Sequence, residues 1–208
     1  MPATAPGADS CIVVIDDDPE FLASVGRLLR SVGLSSRLFA SIPDYLRFDP
    51  PDCPTCLLLD VRLPGRSGLD FQRDLVAKNS EIPIIFVTAH GDIPMTVQAM
   101  KGGAIEFLTK PFRDQDLLDA VNLGLARDRA RREHNQALSV FRARFEALTP
   151  RERKVMIEVV QGRLSKQIAS DMGITEGTVK VHRSNLMRKM GVASLAELCR
   201  IADRLELC

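Results

Sequence analysis

Four short apolar runs in the first half of the chain each stop on a residue that carries chemistry, and this pattern restricts the fold more than any other feature. Ile12-Val13-Val14-Ile15 runs into Asp16-Asp17-Asp18, and Cys56-Leu57-Leu58-Leu59 runs into Asp60. Ile84-Ile85-Phe86-Val87 ends on Thr88, while Ile105-Glu106-Phe107-Leu108-Thr109 delivers Lys110 and Pro111. Short continuous apolar runs closed by turn residues read as strands buried on both faces, the kind that builds parallel sheets. With a further segment the strands are expected near 11–15, 34–39, 55–59, 82–88 and 104–109. Helical patterns near 19–32, 41–48, 68–78 and 93–102 alternate with them, which predicts an α/β doubly wound five-stranded parallel sheet. In such a sheet the carboxyl ends of the strands line the ligand crevice, so the acids, Thr88 and Lys110 are expected along one edge.

Local signals agree with this alternation. Phe21, Leu22, Val25, Leu28 and Leu29 recur at helical spacing, and Gly33 is placed to close that helix in a left-handed conformation. Pro94 suits the first turn of a helix, where its missing donor does no harm. From Asp114 helix formers continue to Pro150, with Leu117, Leu118, Val121 and Leu125 facing the sheet. The stretch Arg127-Asp128-Arg129-Ala130-Arg131-Arg132-Glu133 offers no apolar stripe, so the helix is expected to leave its domain there. Leu138, Phe141, Phe145 and Leu148 then resume a heptad-like spacing. Residues 127–147 read as a linker helix that either pairs with a second copy or stays a solvated connector.

The remainder is all-helical. Thr149-Pro150-Arg151-Glu152 is a capping signal, Ser165 is expected to cap a second helix, Gly173 to turn it, and Thr175 to start a third helix that Gly191 ends. Ser194 with Glu197 predicts another capping box. The division is therefore 1–126, 127–147 and 148–208, well within the scope of 208 residues.

Charge separates the same segments. Lys+Arg against Asp+Glu is 11 to 17 in residues 1–126, 6 to 3 in 127–147 and 11 to 7 in 148–208. An acidic first part joined to a basic last part suggests that only the last part meets nucleic acid. No apolar run is long enough to span a membrane and the start lacks a signal-peptide pattern, so a cytoplasmic protein with no membrane partner is expected. Cys53-Pro54-Thr55-Cys56 has CxxC spacing but stands alone, and the five cysteines, Cys208 among them, read as structural or incidental thiols.

Three clustered carboxylates repel one another unless a cation joins them. A hard oxygen site with few protein ligands suits Mg²⁺, which keeps its waters and accepts a phosphoryl oxygen. Once charge is offset there and at Lys110, one carboxylate can act as a nucleophile toward phosphorus. The Thr88 hydroxyl is a candidate donor to the new phosphoryl oxygen. Singly, each residue has a bland explanation, such as a helix cap, a loop acid or a surface charge. Four strand ends in this order make the bland explanation poor.

Asp16-Asp17 after the first strand, Leu59-Asp60-Val61-Arg62-Leu63-Pro64-Gly65-Arg66-Ser67-Gly68, Thr88 after the fourth strand and Lys110-Pro111 after the fifth together resemble a response-regulator receiver domain, a flavodoxin-like fold. The resemblance implies that Asp60 is the phospho-acceptor and that Asp17, Asp60 and the Arg62 carbonyl hold Mg²⁺, with Asp16 acting through water. It implies a switch pair in Thr88 and Phe107, and in Lys110 a phosphate contact before a cis Pro111. Phe107 stands where the family often has Tyr, which removes any contact that needs a hydroxyl.

On a helical wheel from Thr178 to Met190, Val179, Leu186 and Met190 share one face. Lys180, Ser184 and Arg188 lie opposite, with Val181 and Met187 at the margins. A short helix, a Gly-containing turn and a helix with a cationic outer face read as a helix-turn-helix. Leu148-Thr149-Pro150-Arg151-Glu152-Arg153, Ser165-Lys166-Gln167-Ile168-Ala169 and Thr178-Val179-Lys180-Val181-His182 resemble the LuxR-type DNA-binding domain. Candidate DNA contacts are Lys166, Thr178, Lys180, Val181, Ser184 and Arg188. Ser184 stands where some members are basic, which implies one phosphate contact fewer, and His182 reads as a packing residue.

Together the two resemblances point to the FixJ/NarL class of bacterial response regulators. The expectation is a non-enzymatic transcription activator that takes a phosphoryl group on Asp60 from a sensor histidine kinase. It would then form a homodimer through the region 93–109, bind double-stranded promoter DNA and meet RNA polymerase. The rivals are a Mg²⁺-dependent phosphotransferase with an aspartyl-phosphate intermediate, which the basic domain and the lack of a GxxxxGK[ST] motif disfavour, and a regulator that binds DNA regardless of phosphate.

Overall fold

The structure is a computed structural model that describes residues 10–205 and Leu207. The sequence expectations for the chain start and for Cys208 lie outside the described residues. The chain divides after Arg132 into two compact units.

In the first unit, five parallel strands form one sheet: β1 (Cys11–Ile15), β2 (Ser35–Phe39), β3 (Thr55–Leu59), β6 (Ile84–Thr88) and β7 (Glu106–Thr109), in the order β2-β1-β3-β6-β7. The helices α1 (Pro19–Ser31), α2 (Ile42–Leu46), α3 (Gly68–Ala77), α4 (Ile93–Lys101) and the first part of α5 (Asp114–Glu146) connect and cover it. β1, β3 and β6 are buried at every position because both faces are covered. One layer of core holds Val13, Ile15, Leu57, Leu59, Phe71 and Phe86, and the other Ile12, Val14, Leu29, Leu58, Ile85 and Leu117. Each such side chain contributes roughly 1.5–3 kcal/mol through burial. Both expectations for α1 hold: Leu22, Val25 and Leu29 face the core, and Gly33 has φ +78°.

One short element is absent from the sequence reading. Arg62–Leu63 (β4) and Arg66–Ser67 (β5) pair antiparallel around Pro64-Gly65, with Gly65 at φ +78°. What reads as a Pro-Gly loop is a tight hairpin, pinned to α3 by an Arg66–Asp74 ion pair.

The second unit contains α6 (Pro150–Val160), α7 (Ser165–Met172), α8 (Glu176–Met190) and α9 (Leu195–Arg204) around a core of Leu148, Val155, Met156, Ile168, Val179, Leu186, Met190 and Leu198. The expected capping box of α6 is complete: Thr149 N donates to Glu152 Oε2 at 2.8 Å, and Glu152 N to Thr149 Oγ1 at 3.3 Å. Gly173 and Gly191 end α7 and α8 in the left-handed region.

Three expectations need correction. Ser165 does not cap α7. The N-cap is Leu164, which has no side-chain acceptor, and Gln167 Oε1 reaches back to Leu164 N at 2.9 Å. α5 does not leave the first unit at Arg127, because Asp128 is buried there and Arg131 and Arg132 are half-buried. A charged cluster holds that turn where an apolar stripe is missing. Finally, Phe141 and Phe145 pack against the core of the second unit and Leu148 lies within it, so most of the heptad-like spacing serves packing inside one chain and is not a solvated face.

Candidate functional site

The strand order sets the site. The chain runs outward from β1 to β2 and returns on the other side through β3, so the β1 and β3 ends flank the point where strand order reverses, where open α/β sheets bind ligands. Register pairs Ile15 with Leu59, which brings the next residues, Asp16 and Asp60, to the same level. Asp16, Asp17 and Asp60 each offer a carboxylate oxygen, and these atoms lie within 4.8 Å of one another. Asp16 and Asp60 are buried and Asp17 is exposed.

Asp16 and Asp60 are each held by a backbone amide. Asp18 N donates to Asp16 Oδ1 at 3.0 Å, and Arg62 N to Asp60 Oδ1 at 3.2 Å. Asp18 serves as the cap of α1, accepting from Glu20 N and Phe21 N. The third acid of the run is thereby assigned to structure, and the first two are left for chemistry. Gly68 explains why the hairpin must be followed by glycine: a Cβ there would lie 2.1 Å from the Asp60 carbonyl oxygen.

Lys110 Nζ donates to Asp16 Oδ2 at 2.6 Å and sits 3.5 Å from the centre of the Phe21 ring. Burial pushes the Asp16 carboxyl above its usual range, opposed by the bonds from Lys110 and Asp18 and reinforced by the neighbouring Asp60 charge. Lys110 thus offsets the burial of Asp16. Phe21, which the sequence placed on the core face of α1, is partly buried and gives one ring face to this ammonium. The periodicity of α1 marks Phe21 as apolar but carries no signal for that second contact.

Thr88 is buried, and its hydroxyl accepts from His90 N at 3.3 Å, with no acceptor for its own proton among the described residues. Lys110 N donates to Thr88 O at 2.8 Å, and the Lys110–Pro111 peptide is cis. Phe107 is half-buried with its ring 6.0 Å from that of Phe86. Gly91 lets the loop after β6 lie against it, since a Cβ would come within 2.7 Å of the Phe107 ring.

The two thiols of the CxxC pair are both free, with Cys53 half-buried. Cys56 is buried on β3, and burial together with the nearby Asp128 charge pushes its thiol up to about 12. A thiol so far from ionising packs and does not react at neutral pH.

In the second unit, Val179, Leu186 and Met190 are fully buried and form the inner face of α8, as the wheel predicts. Lys180, Val181, Ser184 and Arg188 are exposed on α8, and Lys166 is exposed near the start of α7. Thr178 is half-buried and its hydroxyl lies 2.9 Å from that of Thr175, the cap of α8. His182 Nε2 is buried with no hydrogen-bond partner among the described residues.

One residue escapes the sequence reading. Arg183 lines a groove of about 330 Å³ together with Ser165, Lys180, Ser184 and Met187. Lys180 is paired with Glu176 at 3.2 Å, whereas Arg183 has no carboxylate partner among the described residues. The wheel places Arg183 between the two faces, and only the groove beside α7 shows that it has an open surface.

Residues 12–122 match the response regulator receiver domain model, and residues 146–202 match the model for bacterial regulatory proteins of the luxR family. Nodulation protein W of Bradyrhizobium diazoefficiens is 49% identical over 97% of this chain and 89% of its own. The response regulator protein TodT of Pseudomonas putida is 44% identical over 95% of this chain and 87% of its own. The transcriptional regulatory protein FixJ of Azorhizobium caulinodans is 40% identical over 97% of this chain and 93% of its own. Among solved structures, the response regulator StyR is 45% identical with a TM-score of 0.82, covering 95% of this chain and 100% of that one. Full-length FixJ from B. japonicum is 36% identical with a TM-score of 0.57, covering 99% and 100%. Matched in both halves and along nearly its whole length, the chain belongs to the two-component response regulators of the FixJ/NarL class, which join a receiver domain to a LuxR-type DNA-binding domain.

Proposed function

We propose that Asp60 is the phospho-acceptor of a transcription activator whose dimerisation and promoter binding follow phosphorylation. The observation that carries this is the gathering of three carboxylates within 4.8 Å beside Lys110, at the strand-order reversal. An oxygen-only donor set of this size fits a hard divalent cation, so Asp17, Asp60 and the Arg62 carbonyl would hold Mg²⁺, with Asp16 acting through water. When bound, Mg²⁺ offsets carboxylate charge and that of the incoming phosphoryl oxygens.

The Asp60 carboxylate supplies the nucleophilic oxygen. Its bond to phosphorus forms as the phosphorus–nitrogen bond of the partner kinase's phosphohistidine breaks, and the departing imidazole takes up a proton. Lys110, drawn to Asp16 beforehand, is close at hand to contact the transferred group. Thr88 can donate its hydroxyl proton to a phosphoryl oxygen, and Phe107 follows Thr88 inward as the switch partner. Asp60 is the only acceptor in this scheme, so the chemistry is self-modification and slow self-hydrolysis, not turnover of a substrate.

The region 93–109 is the proposed dimer face. Ile93 is 80% exposed, and Val97 and Met100 are exposed on the same helix. An apolar surface of that kind is expected to be covered in at least one state. The homodimer would set two α8 helices on paired half-sites of promoter DNA, with Lys166, Thr178, Lys180, Val181, Ser184 and Arg188 as contacts and RNA polymerase as the further partner. Among the described residues no helix is long and apolar enough to cross a membrane. The test is Asp60→Ala in the full chain. Labelling by acetyl phosphate should vanish and phosphate-dependent dimerisation with it. Equal dimerisation and DNA affinity with and without a phosphoryl mimic in the parent protein would refute the switch and leave the DNA reading standing.

A further inference from the structure

Asp128 sits on α5 with a relative exposure of 1%, in a turn of helix that has no apolar stripe to hold it. Its carboxylate is nevertheless saturated. Thr55 N donates to Oδ2 at 2.9 Å, Arg132 Nε donates to Oδ2 at 2.7 Å, and Arg131 Nε donates to Oδ1 at 2.9 Å. Both arginines reach onward. Arg132 Nη1 lies 2.6 Å from Asp52 Oδ1, and Arg131 Nη1 lies 3.7 Å from Glu81 Oε2. Burial alone would raise the Asp128 carboxyl, but the bonds from Arg132, the Thr55 amide and Arg131 together outweigh it and hold the group below its usual range. One turn before, Gly124 lies so close to β3 that a Cβ would come 2.5 Å from Cys56 Sγ.

The strand that receives these contacts is the one that carries Asp60. Thr55 begins β3 and Asp60 follows its last residue, about 17 Å away at the usual rise of a strand. The receiver part of α5, from Asp114 to Asp128, covers about 21 Å. It starts four residues after Lys110, at the site edge, and ends on Asp128 at the opposite edge. The acceptor strand and the root of the linker helix are therefore joined twice: at one end through the site, at the other through Asp128.

We propose that Asp128 is a positioning residue for signal output: with Arg131 and Arg132 it clamps α5 to the start of β3, so that the helix leaves the first unit only beyond Arg132 and any shift of the acceptor strand is carried into it. This rests on the phosphorylation reading given above. A merely local salt bridge at the surface would contribute little. This one is different because its carboxylate is buried and its amide donor belongs to the strand. Removing one cation leaves a buried charge under-compensated, and the least costly relief is to lift that turn of helix into water.

The test uses the full chain with Arg132→Ala, which removes a half-buried cation and leaves the Asp128 carboxylate in place, and Asp128→Asn as a second variant. Amide exchange of residues 124–135 is followed together with acetyl-phosphate labelling of Asp60 and the gain in DNA affinity on phosphorylation. The clamp predicts exchange faster by about ten-fold or more in that segment, labelling kept near the parent level, and a clearly reduced phosphorylation-dependent gain. Unchanged exchange in Arg132→Ala overturns the proposal, whatever the behaviour of Asp128→Asn. Faster exchange with the full gain retained also overturns it, because the cluster would then be local packing. A parent protein that shows no gain refutes the phosphorylation reading instead, and the exchange result still decides whether the clamp exists.

Discussion

Lys110 Nζ lies 2.6 Å from Asp16 Oδ2, so the cation of the site is committed to the buried acid of the first strand and not to the proposed acceptor. Two unit charges at this range interact by a few kcal/mol near a protein surface, roughly 4 kcal/mol at 4 Å. Removing Lys110 should therefore separate two properties that are usually lost together. Lys110→Ala leaves more negative charge among Asp16, Asp17 and Asp60, so Mg²⁺ should bind at least as tightly as in the parent. Labelling of Asp60 should nevertheless slow by roughly ten-fold or more, because a contact to the phosphoryl group is gone. Mg²⁺ titration and acetyl-phosphate labelling measure the two separately, and weaker Mg²⁺ binding would contradict the charge argument.

Gly68 makes a second prediction about the same pocket. A methyl group there would collide with the Asp60 backbone oxygen, an atom that has no rotamer to escape into. Gly68→Ala must displace either α3 or the strand end, and overpacking of this kind costs about 1–3 kcal/mol. The expected result is a lower melting temperature with a fall in Asp60 labelling. A control at Gly33, where no atom lies within 4 Å but φ is +78°, should lose some stability through backbone strain and keep its labelling.

The legible part of this molecule is the part encoded by local pattern. The five strands, the edge that gathers Asp16, Asp17, Asp60, Thr88 and Lys110, and the inner face of α8 follow from apolar period and strand order. The unread part depends on contacts between segments distant in sequence. Asp128 meets Thr55 across 73 residues, and nothing in Arg127-Asp128-Arg129 distinguishes a buried carboxylate from a solvated one. Phe141 and Phe145 have the spacing of a coiled coil, but the nearest apolar surface is the chain's own helical core. Ser165 fails as a cap because the helix begins one residue earlier, a shift that no capping rule resolves.

Glu152 links the second unit to pH. The hydrogen bond from Lys189 at 2.7 Å, followed by that from Thr149 N, lowers its carboxyl from 4.5 to about 2. A folded value below the unfolded one means stability that is fully present above pH 4.5 and lost as pH falls toward 2. Screening at the partly exposed Lys189 limits the effect to on the order of 2 kcal/mol. Chemical denaturation followed by helical circular dichroism should show the loss in the parent. In Glu152→Gln the added dependence over that window should disappear, while stability at neutral pH drops because the buried partner of Lys189 is gone.

Arg183 offers the sharpest test of the DNA face. Each phosphate neutralised by a side chain adds about 0.9 to the slope of log affinity against log salt. Lys180 already has Glu176 at 3.2 Å and must leave it to reach DNA, so part of its gain is offset. Arg183 has no such competitor among the described residues, and it borders the groove where Ser184 supplies no charge. Arg183→Ala should therefore lower affinity by a similar factor on operator and unrelated duplexes and reduce the salt slope by about one. Lys180→Ala should change the slope less and discriminate more between sequences, as expected for a side chain nearer a base edge. Fluorescence anisotropy over a range of salt concentrations measures both. A salt slope in Arg183→Ala equal to that of the parent would remove Arg183 from the interface and return the missing phosphate contact of Ser184 to the account as a true deficit.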